Sequence, residues 1–409
     1  MTETPSAPDE CAYPVVDFGP LDQRFHDDYW NTLTQLRESC PVGWSTSRWS
    51  MTKSGQWVLN THGEVMAAAT DWRTFSSADG VAVFQFPLDV LRLIPVETDP
   101  PLQRDIRHAL NSLFTPNALG QSVVGEINRT ANRLMMECLE QDGPVDLVAS
   151  FTAKLPPLVF GPAFLDSTEE EGNRLLELVN TLLTRPELVM EVAPKLLAWC
   201  AELLESRRAE GCREDLAGII AHMGFGEDGL KLDEKQRVEI INFVVMAGME
   251  TTSGGLGASA WLLATRPDLR ERLRTADERT VDRAIEEFLR FASPAPLLSR
   301  TLTRDTEVQG CPMRKGDRVL LNWAAANLDP KQFPNPLVVD IDRANVASHV
   351  AFGAGIHRCL GAHLARLEIK AMVRAVAELS EFRLAPGAEI AWRASMARGP
   401  VALPILMAR

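Results

Sequence analysis

The sequence predicts a mainly α protein with a minor β component. Two observations carry this. From Pro101 to about Ser293 the apolar residues recur with helical spacing almost without interruption. After Arg300, and in parts of the N-terminal fifth, short apolar runs are broken by Gly, Pro, Asn and Asp, the pattern of strands and turns. A third observation bounds the unit. The 409 residues are 45% hydrophobic, ample for a sizeable core, and no Gly/Ser-rich linker, low-complexity tract or repeat divides them. The expected organisation is a loosely held N-terminal leader over residues 1–20, rich in Pro and acidic side chains, and one domain over 21–409.

Each element has its own signal. "HDDYWNTLTQLRESC" has a helical apolar period, "GQWVLN" is a short strand, and "THGEVMAAATDW" reads as a helix capped by Thr61. "VAVFQFPLDVLRLIPVE" is interrupted by Pro87 and Pro95 and reads as a loop with one helical turn at most. "DPPLQRDIRHALNSLFTP" has prolines at a helix start and another at its end. "EEEGNRLLELVNTLLT" and "ELVMEVAPKLLAWCAELLESRR" are two helices joined at Arg185-Pro186, a link short enough to favour a modest, well-closed pocket. The longest helix is "LDEKQRVEIINFVVMAGMETTSGGLGASAWLLAT". Asp233 and Gln236 form a capping-box pattern at its start, and apolar residues on more than one face predict that it crosses the core. "DTEVQGCPMRKGDRVLLN" is strands and turns, "GAHLARLEIKAMVRAVAEL" a helix, and "PVALPILM" a final strand.

Charge and cysteine usage exclude several classes. A net charge of −13 argues against general nucleic-acid binding, which needs a basic face. The first twenty residues lack a basic n-region and an apolar h-region, and no apolar run reaches the roughly 18 residues of a membrane span. The expectation is a soluble, cytoplasmic protein with no membrane partner. The seven cysteines are an odd number in a long chain, which speaks against a disulfide scaffold. No C-x-x-C pair exists, so a cysteine that binds a metal would do so alone.

The informative stretch is "HVAFGAGIHRCLGAHLAR", His349 to Arg366. Gly353, Gly355 and Gly361 crowd Cys359, and a helix begins just after it. Glycines permit positive φ and close approach of backbone to something large and flat. A helix N-terminus turned toward the sulfur is expected to lower its pKa and stabilise a thiolate. That thiolate suits a nucleophile or a metal ligand; a buried structural cysteine is the alternative.

"FGAGIHRCLG" resembles the haem-binding loop of the cytochrome P450 family, F-G-x-G-x-H-x-C-x-G, with every fixed position matched: Phe352, Gly353, Gly355, His357, Cys359 and Gly361. The resemblance implies the P450 fold, with haem b buried between the long central helix and the cysteine loop and its helix, and Cys359 as the axial ligand. Further motifs follow in the family's order. "EEFLR" holds Glu287 and Arg290 one turn apart, ordinarily a surface pair. The family's E-x-x-R takes a third partner from a later arginine, here Arg343 in "DIDR", to make a buried structural cluster. "AGMETT" resembles the oxygen-binding groove. It implies Glu250 and Thr251 as the acid and hydroxyl that deliver protons, with small Ala247 and Gly248 leaving a notch beside the helix; a back-bonding threonine and a solvated glutamate are the bland alternative. "DPPLQRDIR" implies Arg107, and "SPAPLLSRTLTRD" implies Arg300, as propionate donors, with His357 the third. Gln103 stands where many members have histidine.

The resemblance spans essentially the whole chain and implies the bacterial type, which draws electrons from a separate ferredoxin and its reductase. The reaction implied is insertion of one oxygen atom from dioxygen into a small-to-medium hydrophobic substrate, hydroxylation foremost. Oxidative coupling, direct use of peroxide and a non-catalytic haem protein are the rivals. Family position implies a substrate lining of Val83, Phe84, Phe86, Leu91, Val244, Val245, Ala247, Pro296, Leu297, Leu298, Met396 and Ala397. Arg92 is a candidate for a substrate carboxylate, against the simpler reading of a solvated arginine. Arg104, His108 and Arg358 are candidates for a basic patch that steers the ferredoxin.

Overall fold

Glu234–Thr265, a helix of 32 residues and about 48 Å at 1.5 Å per residue, is the axis around which the other elements pack. The computed structural model describes residues 13–48, 50, 52, 54–83, 91–184, 188–211, 214–224 and 232–409. The capping box forms as the sequence predicts. Gln236 N donates to Asp233 Oδ1 at 2.8 Å, and Asp233 N donates to Gln236 Oε1 at 3.0 Å. Beyond that cap the helix is buried on several faces, through Ile240, Ile241, Val245, Leu256, Ala260 and Leu263. The helices Leu155–Leu165, Val189–Glu210, Glu278–Ala292 and Ala362–Ala377 pack against it.

The glycines of "TTSGGLG" explain how the chain's end reaches this helix. A Cβ on Gly254 would lie 2.4 Å from the Arg398 carbonyl oxygen, and one on Gly257 would lie 2.7 Å from the Pro400 ring. Only glycine admits that contact. The segment 391–401 therefore rests directly on the central helix. It folds back as a hairpin, in which Arg393 N donates to Gly399 O at 2.9 Å and Val401 N to Ala391 O at 2.8 Å.

The minor β component is a six-stranded sheet ordered Val15–Val16, Val42–Ser45, Gln56–Leu59, Arg318–Asn322, Leu297–Leu302, Phe75–Ser76. A three-stranded sheet joins Glu381–Leu384, Pro404–Ala408 and Val145–Asp146, and Thr306–Val308 pairs with Cys311–Met313. In the large sheet Leu297–Leu302 runs antiparallel to Arg318–Asn322, with Arg300 opposite Val319.

Several expectations are refined. Residues 13–20, read from sequence as part of a loose leader, are bound to the fold. Val15–Val16 pairs in parallel with Trp44 and Ser45, and Phe18, 2% exposed, packs edge-on against Phe25 at 5.0 Å. "HDDYWNTLTQLRESC" is two helices, Gln23–Asp27 and Tyr29–Ser39, broken at Asp28. Thr61 has the extended backbone of an N-cap, but its hydroxyl makes no capping bond. The link at Arg185-Pro186 lies outside the described residues. Among the described residues one stretch, Val148–Leu165, is long and apolar enough to cross a membrane, and 67% of it is buried inside the fold.

Candidate active site

The loop around Cys359 is fastened at several points. Cys359 N donates to Phe352 O at 2.8 Å, Gly353 N to Val350 O at 2.9 Å, and Val350 N to Asn327 Oδ1 at 2.7 Å. Gly353 and Gly355 take φ of +66° and +67°, and a Cβ on Gly355 would lie 2.2 Å from the Ala69 carbonyl oxygen. Gly361 differs from that expectation. Its φ is −83°, and a Cβ there would meet nothing within 4 Å, so it borders open space. Gln103, at the family's histidine position, is 2% exposed and donates to Ile356 O at 2.6 Å, so it ties down this loop.

Cys359 is exposed by surface area, yet burial is the largest influence on its thiol. Both hold if the surface it shows lines an interior cleft. Burial pushes the thiol's pKa up, and the Gly361 N–H with Arg107, Arg366 and Arg358 pulls the other way without prevailing. The lowering expected from the helix start is thus outweighed by desolvation.

Arg107, Arg300 and His357 are brought together. The fields of Arg300 and Arg107 both reach the His357 imidazole; with burial, the larger cause, they push its pKa down to about 3. His357 is therefore neutral, and its Nε2 is buried without a partner among the described residues. Arg300 is 2% exposed, and burial pushes its pKa down to about 10, assisted by a neighbour the sequence reading missed, Arg318. Arg318 donates to Gly80 O at 2.7 Å. Its signal was an arginine inside the apolar strand "DRVLLN".

The central helix carries a half-buried stripe in its otherwise buried middle: Phe243, Met246, Ala247, Gly248, Glu250 and Thr251. The spacing i, i+3, i+4, i+7, i+8 puts Phe243, Met246, Ala247, Glu250 and Thr251 on one face. Thr251 Oγ1 donates to Ala247 O at 2.7 Å, the back-bonded conformation. Glu250 is held from the C-terminal hairpin: Ser395 Oγ donates to its Oε1 at 3.1 Å, and Arg393 lies 3.5 Å away. Burial pushes the Glu250 pKa up, and Arg393 and Ser395 oppose it.

Behind the loop lies the cluster expected from E-x-x-R. Arg290 donates to both carboxylate oxygens of Glu287 at 2.8 Å, and Arg343 Nε donates to Oε2 at 3.0 Å. Glu287 and Arg290 are 0% exposed. Their remaining donors go to backbone, Arg290 to Asn327 O and Arg343 to Pro334 O, each at 2.7 Å. A second network was missed in the sequence. Glu286 accepts from His349 Nε2 and from Arg366 Nη2, both at 2.8 Å, and these contacts bring its pKa down to about 2 against burial, the largest influence. Arg366 lies 4.3 Å over the Phe352 ring, with His349 on a tilted contact at 5.9 Å. The signal was present: two acids in a row in "EEFLR", and His349 and Arg366 bracketing the loop.

The expected substrate lining is only partly brought together. Val83, Val244 and Leu297 belong to the main core, with Met246, Phe352 and Met396 partly buried against it. Leu298 does not share that face. Strand alternation sends it to the separate cluster around Trp57 and Val319. Ala397 is 3% exposed. Phe84 and Phe86 lie outside the described residues. Arg92 is neither a free carboxylate receptor nor a solvated side chain. Its guanidinium donates to the Ala78 and Glu97 carbonyls, and its backbone N–H donates to Glu239 at 3.0 Å, tying this segment to the central helix.

The sequence profile described as Cytochrome P450 matches residues 201–393. Cytochrome P450 130 of Mycobacterium tuberculosis is 31% identical over 366 residues, covering 85% of this chain and 87% of that protein. The chain belongs to the cytochrome P450 family. The polyketide biosynthesis cytochrome P450 PksS of Bacillus subtilis is 28% identical over 414 residues, 96% of this chain and 99% of its own length. The crystal structure of cytochrome P450 CYP101C1 superposes with a TM-score of 0.85 at 26% identity, covering 96% of this chain and 98% of that one.

This P450 is accordingly a haem-thiolate monooxygenase, with dioxygen and a hydrophobic molecule as substrates. The residues present fit the family's haem. An accessible sulfur in a desolvated cleft, beside a glycine that leaves space open, suits the flat face of a metal-bearing ring. Two desolvated arginines and a buried, unpartnered imidazole nitrogen suit its two carboxylates.

Proposed function

We propose that this P450 hydroxylates a small-to-medium hydrophobic molecule in the cytoplasm, with electrons from a ferredoxin and its reductase. The observation that carries the reading is Glu250 beside Thr251 on the accessible stripe of a helix whose middle is otherwise buried. Two adjacent proton-bearing groups stand there on the one face of the helix that is not packed into the core, which suits proton delivery. A non-catalytic haem protein has no need of them.

Cys359 would hold the haem iron through its sulfur, and haem bound there would supply one-electron chemistry and the activation of dioxygen. The Gly361 N–H and the charges of Arg107, Arg366 and Arg358 favour the ionised sulfur that this role requires. Arg107, Arg300 and His357 would hold the haem's carboxylates, with His357 neutral and free to donate through Nε2. Ala247 and Gly248 leave room beside the helix. Thr251 holds a proton at Oγ1, and Glu250, next along the same face, replaces it. Val83, Val244, Leu297 and Met396 exclude water from the substrate. Arg104 and His108 line one surface cleft with His222, and Arg358 is exposed, which suits an acidic ferredoxin.

The test is a titration of the purified ferric protein with terpenoids, aromatic acids, steroids, fatty acids and cyclic dipeptides. Compounds that shift the Soret band toward high spin are then turned over under labelled dioxygen. A product carrying one labelled oxygen is expected. A product lacking the label, formed by joining two rings, would replace hydroxylation with oxidative coupling. Reduction rates indifferent to ionic strength would remove the charge-steered ferredoxin.

A further inference from the structure

The C-terminal hairpin supplies a contact that the family motifs do not contain. Its C-terminal stem is seated by Gly254 against Arg398 and by Gly257 against Pro400, and the 391–393 stem pairs with it. Arg398 N also donates to Pro294 O at 2.7 Å. Its guanidinium lies 3.7 Å from the ring centre of Tyr29 and 3.9 Å from that of Trp392. Arg393 at the end of the first stem and Ser395 in the turn both face the central helix.

Both reach Glu250. Arg393 Nη1 is 3.5 Å from Oε1, and Ser395 Oγ is 3.1 Å from the same oxygen. The Arg393 side chain is 16% exposed, so this pair is only weakly screened. Ser395 has one hydroxyl hydrogen and two acceptors, Glu250 Oε1 and its own turn's Ala397 O at 2.7 Å. Thr251 has its hydroxyl on Ala247 O and gives nothing to Glu250. The carboxylate is therefore held from outside its own helix.

We propose that Arg393, assisted by Ser395, is the positioning residue that sets whether Glu250 carries a proton. This rests on the reading of Glu250 as the acid of the proton relay. Among the described residues Arg393 is the one charged group whose field acts on Glu250. The Ser395 hydroxyl adds a hydrogen bond, and burial, the largest influence, works against both. An opposite charge at this range moves a carboxylate by about one to three pH units. Arg393 thereby favours the ionised carboxylate against burial, and Ser395 makes the setting depend on the turn that carries Met396 and Ala397.

The experiment is an infrared pH titration of the holoenzyme's carboxyl band, with the Glu250→Gln spectrum subtracted so that Glu250 alone is read. Arg393→Gln should move the midpoint up by about one pH unit or more. Arg393→Lys should restore most of the wild-type value, and Ser395→Ala should give a smaller rise. A parallel profile of product per NAD(P)H against pH should shift upward by the same amount in Arg393→Gln. A midpoint unmoved in Arg393→Gln overturns the proposal, as does Arg393→Lys behaving like Arg393→Gln. The two readings separate cleanly: if Glu250→Gln couples as well as wild type, the relay assignment fails, while the titration still reports on Arg393 alone.

Discussion

Cys359 is set by its neighbours as much as by its own chemistry. Phe352 accepts the Cys359 amide and is itself clamped by Arg366 and His349, which share the Glu286 carboxylate. Glu286→Gln should loosen that clamp while leaving the fold intact. The expected outcome is a several-fold rise in the fraction of ferrous carbonyl complex with a protonated sulfur, read from its absorption bands. Unchanged spectra would confine Glu286 to a structural part. Thr251→Ala should keep substrate binding but divert reducing equivalents to peroxide. Positioned proton transfer contributes roughly 10²–10⁴-fold, so product per NAD(P)H should fall by about tenfold or more; equal yields would remove Thr251 from the relay. At this scale the sequence was legible where a motif named the residue. It was silent on Glu286, Arg318, Arg393 and Ser395, whose partners lie 63 to 145 residues away for Glu286 and Ser395 and come from separate strands and helices.

Elements carry the next level. The helix Glu278–Ala292 delivers Glu287 and Arg290 to the same buried spot because they sit one turn apart, and Arg343 completes the cluster from the segment ahead of the cysteine loop. Breaking one member of a buried ionic network costs about 3–5 kcal/mol. Glu287→Ala should therefore lower the melting temperature and release haem, and a variant with full haem content would contradict that role. Gly355→Ala meets both a φ of +67° and a carbonyl at 2.2 Å, so the loop cannot close over Ala69. Little haem should be retained, whereas Gly361→Ala, with φ of −83°, should keep its backbone and fail only if the side chain obstructs the ring. Element types were readable because the helical periods are long and apolar. Faces were less so: Leu297 and Leu298 are adjacent and equally apolar, and only the pairing with Arg318–Asn322 decides which one looks into the core.

Across the whole molecule, stability answers to pH through buried acids. Glu368, on the helix that follows Cys359, is 1% exposed, and burial pushes its pKa up to about 8. The folded state then holds this proton more tightly than the unfolded chain does. Its contribution to stability is fully present below about pH 4.3 and is lost as pH rises through about 8. Glu368→Gln should match wild type near pH 4 and exceed it above pH 8, by on the order of 4 kcal/mol in denaturant unfolding. Parallel curves for the two proteins would show that Glu368 is ionised in the fold. The N-terminal residues show where sequence reading stops at this scale. Proline and acidic residues marked residues 1–20 as loose, but Phe18 packs on Phe25 and Val15–Val16 finds a parallel strand partner, neither of which a local pattern announces. The seating of the C-terminal hairpin has a consequence for redesign. Because Gly254 and Gly399 meet backbone to backbone, the height of that hairpin above the helix is fixed by main chain rather than by side-chain choice. The turn between its stems can be treated as an interchangeable cassette. A library that varies only positions 394, 396 and 397 would leave Ser395 on Glu250 and sample new turn shapes on an unmoved seat, while Gly254, Gly257 and Gly399 stay out of bounds to any mutagenesis that hopes to keep the scaffold.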